Sequence, residues 1–221
     1  MDPTDGVIRE ALGLYKKHFA HLFIVAFVIF AAVAVLQVLA GSIDNILALV
    51  VVSALSVIGY FLVQAALVEA VGDIRDGRAD LSVGETLSRG AARIGSVALA
   101  SIVAGIAIGI GLVLLVIPGL VLLTWWAVLV PVIVLERAGA FESFTRSREL
   151  VRGRDFKVFG VIVLEILLVL AVSLALGLIT APLPEGVRGF LSNILSGSVT
   201  GPLSAVITTL LYFRLKQAKV S

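Results

Sequence analysis

The sequence predicts an all-α integral membrane protein: six transmembrane helices with amphipathic interfacial helices between them, patterned as three helical-hairpin repeats. Two independent observations lead there. First, the chain is 60% hydrophobic and 14% charged, against roughly 45–50% and about 25% in soluble domains. Its mean hydropathy is +1.14. Such a chain has too little polar surface to cover a globule, so lipid must solvate part of it. Second, of its 17 Lys and Arg residues all but Arg188 fall on one side of the membrane that the apolar runs define, which is the asymmetry expected of loops that stay in the cytoplasm.

A span needs roughly 20 apolar residues at about 1.5 Å of rise each. Six stretches qualify within one membrane domain covering residues 1–221: 19–40, 46–70, 94–117, 120–135, 156–180 and 190–213. The fourth is short. The first is not read as a cleaved signal peptide, because Asp2, Asp5 and Glu10 precede it and signal peptides carry a shorter apolar core behind a basic head. Arg9, Lys16 and Lys17 lie before the first span. Arg75, Arg78, Arg89 and Arg93 lie between the second and third. Arg137, Arg146, Arg148, Arg152, Arg154 and Lys157 lie between the fourth and fifth, and Arg214, Lys216 and Lys219 follow the sixth. Both termini are therefore expected in the cytoplasm of a cell facing its inner membrane.

The segments before the helical pairs read alike. Glu10-Ala11-Leu12, Glu85-Thr86-Leu87 and Glu142-Ser143-Phe144 open them, and basic residues follow each. Val7, Ala11 and Tyr15 share a helical face, as Phe141, Phe144 and Val151 roughly do in the third copy. Helices of this kind bury an apolar stripe at the headgroup boundary and keep charges wet. Ser82 and Glu85 have capping-box spacing, and Glu142 and Arg146 have the spacing of a favourable i,i+4 pair. Any chain of membrane hairpins alternates basic and apolar segments, so a true repeat and a chance alternation both remain open. Pro118-Gly119 reads as the tight turn between the third and fourth spans, since Pro fixes φ and Gly permits the left-handed region. Pro131 is expected to free a carbonyl and kink the fourth span. Trp125 and Trp126 fit an aromatic belt or a helix–helix contact.

From residue 83 to 163 the motifs Val116-Ile117-Pro118-Gly119, Trp125-Trp126, Pro131-Val132-Ile133-Val134-Leu135-Glu136, Gly139-Ala140 and Arg146-Ser147-Arg148-Glu149-Leu150-Val151-Arg152-Gly153 follow in order, then Val158-Phe159-Gly160. This order resembles the membrane-domain family found beside some bacterial glycerophosphodiester phosphodiesterases, and its stand-alone inner-membrane relatives. The resemblance implies a six-span helical fold with little assigned chemistry. The activity in that family's name belongs to a separate soluble barrel, for which this chain has no room.

Two sets of residues stand out as candidate sites. Glu165 lies at membrane depth, where a charged carboxylate costs roughly 2.5–3.5 kcal/mol or more. Its candidate partners are Gln37, Gln64 and Ser101. In the sixth span Ser192, Ser196, Thr200, Ser204 and Thr208 recur every four residues, beside Asn193, Gly197, Gly201, Ala205 and Thr209. Glu165, Ser196, Thr200 and Ser204 thus form a candidate intramembrane polar site, with close helix packing as the plain alternative. Ser101, Gly105 and Gly109 give the third span a similar stripe. Arg146, Arg148, Arg152 and Arg154 are candidate contacts for anionic lipid headgroups, each worth about 1 kcal/mol, with a topological role and local pairing to Glu142 and Glu149 as the plain and preferred alternative.

The chain has no cysteine. His18 and His21 have no third ligand nearby, and Gly109-Ile110-Gly111 lacks the strand of a dinucleotide loop. No catalytic residue, metal or cofactor is expected. The expected role is a non-enzymatic membrane protein that binds membrane lipids or organises an envelope complex, with a membrane-protein partner or a second copy of the chain as further partners and no nucleic acid. The competing expectation is a small permease or exporter component that uses Glu165 and the polar face of the sixth span.

Overall fold

The computed structural model describes residues 4–41, 46–75 and 81–220. Among them every regular element is an α-helix. In chain order these are α1 (Val7–Lys17), α2 (Phe19–Gly41), α3 (Ile46–Arg75), α4 (Val83–Ala91), α5 (Ile94–Leu114), α6 (Val116–Trp125), α7 (Leu129–Leu135), α8 (Ala140–Val151), α9 (Asp155–Thr180) and α10 (Glu185–Val220). Six stretches are long and apolar enough to cross a membrane: Phe19–Leu39, Leu49–Arg75, Ile94–Leu114, Val116–Leu135, Asp155–Thr180 and Glu185–Lys219. The fold is that of a multi-pass membrane protein. It agrees with the six expected spans, the fourth being built from α6 and α7 end to end.

α10 is the hub. It packs on α2, α9, α3 and α1, and touches α7 and α8. Its residues Val206, Ile207, Leu210, Leu211, Tyr212 and Leu215 are all buried. Lipid tails are as apolar as Leu, so helices that lie in lipid hold together by close packing and interhelical hydrogen bonds. Small residues mark the closest approaches. A Cβ at Gly90 would lie 2.7 Å from the Ala66 backbone nitrogen, which is how tightly α4 lies on α3. At Gly197 it would meet the Phe30 ring at 2.8 Å, fixing α10 against α2. A Cβ at Gly105 or Gly109 of α5 would meet nothing within 4 Å, so these two glycines mark no close helix crossing.

The connection after α5 departs from expectation. The chain turns at Leu115, which is extended (φ −153°, ψ 118°), and Pro118 and Gly119 already belong to α6. Proline is tolerated there because the N–H groups of a first helical turn have no intrahelical acceptor. Gly119 is small for closeness and not for turning: a Cβ on it would lie 2.6 Å from the Leu112 backbone nitrogen. The break in the fourth span comes at residues 126–128, a turn between α6 and α7. Pro131 then falls in the first turn of α7, where it too is tolerated.

The short helices start as their sequences dictate, with one exchange of partners. Ser82 Oγ accepts from Glu85 N at 3.3 Å while Glu85 accepts from Ser82 N at 2.9 Å, a reciprocal cap on α4. Glu142 accepts from Gly139 N at 3.3 Å at the start of α8. Arg146 pairs with Glu136 (2.8 Å) and Glu149 (3.5 Å), not with Glu142 as the i,i+4 spacing suggests. The buried face of α8 is Ala140, Ser143, Ser147, Leu150 and Val151, whereas Phe141 is 69% exposed. Ser147 is buried because its hydroxyl donates to the Trp125 carbonyl at 2.8 Å. On α1 Val7, Ala11 and Tyr15 are buried, and the helix makes its main contact with α10.

Candidate functional site

α9 and α10 run side by side and are joined by hydroxyl rungs. Ser204 donates to the Glu165 carboxylate. Ser173 and Ser196 share a hydrogen bond at 3.2 Å, and Thr180 and Ser192 another at 2.7 Å. These rungs exist because the every-four hydroxyl stripe of α10 faces α9. The neighbouring stripe, with Gly197 and Gly201, turns toward Phe30 of α2 and Val63 and Leu67 of α3. Where the helices part, a cavity of about 630 Å³ opens. Its wall includes Glu165, Ser196, Thr200 and Ser204, so the four residues singled out from sequence lie together. Glu165 is ten residues into α9 from Asp155, or about 15 Å at helical rise, half the thickness of a hydrocarbon core.

Of the three partners expected for Glu165, Gln64 lines the same cavity. Gln37 instead donates to Ser56 Oγ at 3.1 Å, tying α2 to α3. Ser101 is on α5, outside this cavity's wall.

The basic cluster divides. Arg148 stacks over the Trp125 ring, its guanidinium 3.9 Å from the ring centroid. Arg148 and Arg152 line a polar pocket of about 530 Å³ with Thr145, Glu149, Trp125 and Asp155. Arg146 is drawn into the ion pairs described above, and Arg154 precedes the first turn of α9. Neither lines that pocket.

Asp155 ties the pocket's parts together. Its carboxylate accepts from Trp125 Nε1 at 3.0 Å and from Gly153 N at 3.1 Å. It is also the first residue of α9, where the helix N-terminus favours a negative charge. Gly153 takes φ +88° to bring the chain round from α8, a conformation open to Gly at little cost. On the other side of Trp125 and Asp155 lies an apolar groove of about 390 Å³ between α6 and α9. Ile117, Leu120, Val121, Phe156 and Phe159 line it. Phe156 is 92% exposed, so the groove is open to its surroundings.

A third polar cluster was not legible in advance. Glu136, just past α7, accepts from Arg146 Nε (2.8 Å) and Nη2 (3.2 Å) and from Tyr212 Oη (2.9 Å). Lys216 Nζ is 3.0 Å from the same carboxylate. Burial pushes the Glu136 carboxyl up, but hydrogen bonds from Arg146, Lys216 and Tyr212 outweigh it and hold the group at about 2. The signal available in sequence was a single acid at the end of an apolar run, which says nothing about partners ten and 76–80 residues away.

Fold and cavities together define a multi-pass helical membrane protein with a polar cavity in its bundle and an amphipathic groove at one end. Compared with protein-family models, with curated proteins and with solved structures, the chain matches none.

Proposed function

We propose that this chain is a non-enzymatic module of a bacterial-type inner membrane that holds a phosphate-bearing lipid in the groove between α6 and α9, and so serves to organise partners in the envelope. One observation carries the reading: the apolar groove and the arginine-lined pocket meet at the Trp125–Asp155 hydrogen bond. An acyl chain and a charged headgroup need that continuity of apolar and polar surface. Arg148 and Arg152 are the phosphate ligands, because guanidinium matches phosphate oxygens in a bidentate fork. Glu149 and Asp155 share the pocket but are engaged, Glu149 by Arg146 and Asp155 by Trp125 and Gly153.

The side bearing α1, α4, α8 and the end of α10 is cytoplasmic, as the basic residues there require. The chain consists of three units, each a short helix followed by a membrane hairpin. The packing supports this: α4 lies on α3, α8 on α7 and α1 on α10, so each short helix rests on the last helix of the preceding pair, cyclically. The test is native mass spectrometry of the full chain released from its own membrane. Wild type should carry a phospholipid adduct that Arg148→Ala/Arg152→Ala loses, and inorganic phosphate alone should not replace it. Retention of the same lipids by the double variant refutes the reading. The second reading, a small permease or exporter component, is favoured by the cavity at Glu165.

A further inference from the structure

We propose that the cavity between α2, α3, α9 and α10 is a binding site for a lipophilic organic cation, such as a substituted ammonium or phosphonium. Its electrostatics have one sign. Glu165 supplies a carboxylate, Gln64 and Asn193 supply amides, and Ser173, Ser196 and Thr200 supply hydroxyls. Among the described residues no Lys, Arg or His lines it. A second anion would be repelled, whereas a cation compensates the carboxylate at a depth where an isolated charge is expensive.

The remaining wall fixes the kind of cation. Phe30 and Tyr60 present aromatic rings, which attract cations through their faces. Ile166, Val169 and Leu170 offer apolar surface for the substituents. A volume of about 630 Å³ falls in the range of sites that enclose drug-sized molecules, about 300–1,000 Å³. A bare metal ion does not fit, because a hard divalent cation needs about six oxygens within about 2.6 Å and here one carboxylate faces a wide space. Tyr60, Ile166 and Leu170 are 51%, 52% and 52% exposed, so the site opens sideways, the route open to a cation already dissolved in lipid.

The site stands apart from the lipid groove, since Arg148 and Arg152 do not touch it. The experiment is equilibrium binding of ethidium and of tetraphenylphosphonium to the full chain in phosphatidylcholine nanodiscs, with empty nanodiscs as background. Wild type should bind each probe saturably. Glu165→Gln, which keeps shape and a hydrogen bond to Ser204, should weaken binding tenfold or more. Thr200→Leu, which fills the cavity and leaves the carboxylate, should do the same and stands in if Glu165→Gln fails to fold. Arg148→Ala/Arg152→Ala should bind as wild type. No saturable binding above background, unchanged affinity in the cavity variants, or an equal loss in the arginine variant overturns the proposal.

Discussion

Replacing Glu136 by Gln removes one negative charge and little else. In the wild type this carboxylate joins the end of α7 to Arg146 of α8 and to Tyr212 and Lys216 of α10. Its side chain is 16% exposed. The folded state holds it at about 2 against an ordinary 4.5, and at about 1.4 kcal/mol per pH unit that interval is worth about 3 kcal/mol. Solvent reaches Arg146 and Lys216, which are 38% and 45% exposed, and screening brings the expected loss down to about 2 kcal/mol. The pH dependence has a definite sign. Because the folded value is depressed, the stabilisation is fully present above the unfolded value near 4.5 and fades as pH falls toward 2. Equilibrium unfolding in mixed micelles should show wild type about 2 kcal/mol more stable than Glu136→Gln at pH 7, and less than about half of that by pH 3. At low pH the wild type carries the same neutral group as the variant, so the two should converge. A difference that does not change with pH would place the loss in packing and refute the electrostatic account; no difference at pH 7 would refute it altogether.

Gly90→Ala and Gly119→Ala should each destabilise strongly, because the new methyl meets backbone at 2.7 and 2.6 Å; Gly84→Ala, with open space at its Cβ, should be neutral or gain about 0.5–1 kcal/mol from helix propensity. Thermal melting of the three variants separates these outcomes. Gly153→Ala should cost about 1–2 kcal/mol for its left-handed φ and weaken phospholipid retention with it, because this turn presents an N–H to Asp155. Tyr15→Phe should cost about 1 kcal/mol, since Tyr15 Oη donates at 2.9 Å to the Val199 carbonyl, within a turn of Pro202, which lies inside α10; stability equal to wild type would show that water replaces this bond.

The spans were legible because lipid imposes a length and a composition on them. Their ends were less so: residues 181–189 read as a link, yet α10 already begins at Glu185. Pro118-Gly119 misled because both residues that punctuate turns also serve inside helices, Pro in a first turn and Gly at a close crossing. The α8 stripe misled because Ser147 is buried by a hydrogen bond to Trp125, which a hydropathy pattern scores as exposure. For Glu165 and the α10 hydroxyls the periodicity gave the face but not the neighbour. Ser204 lies 39 residues from Glu165, and which rung meets which is a matter of helix register, which composition does not encode. The groove was illegible for the same reason, since Trp125 and Asp155 are 30 residues apart.

The position of α10 has a consequence for how the protein is made. Helix α1 leaves the ribosome first, yet its main partner is the tenth helix, and Arg214 must travel back to the Glu10 carboxylate and the Asp5 carbonyl. Until then the α1 stripe of Val7, Ala11 and Tyr15 lacks its main protein surface, with only its smaller contacts on α2 and α9 to draw on. A chain interrupted before residue 185 therefore lacks the helix on which α1, α2, α3 and α9 all pack, and its earlier hairpins surround an empty axis.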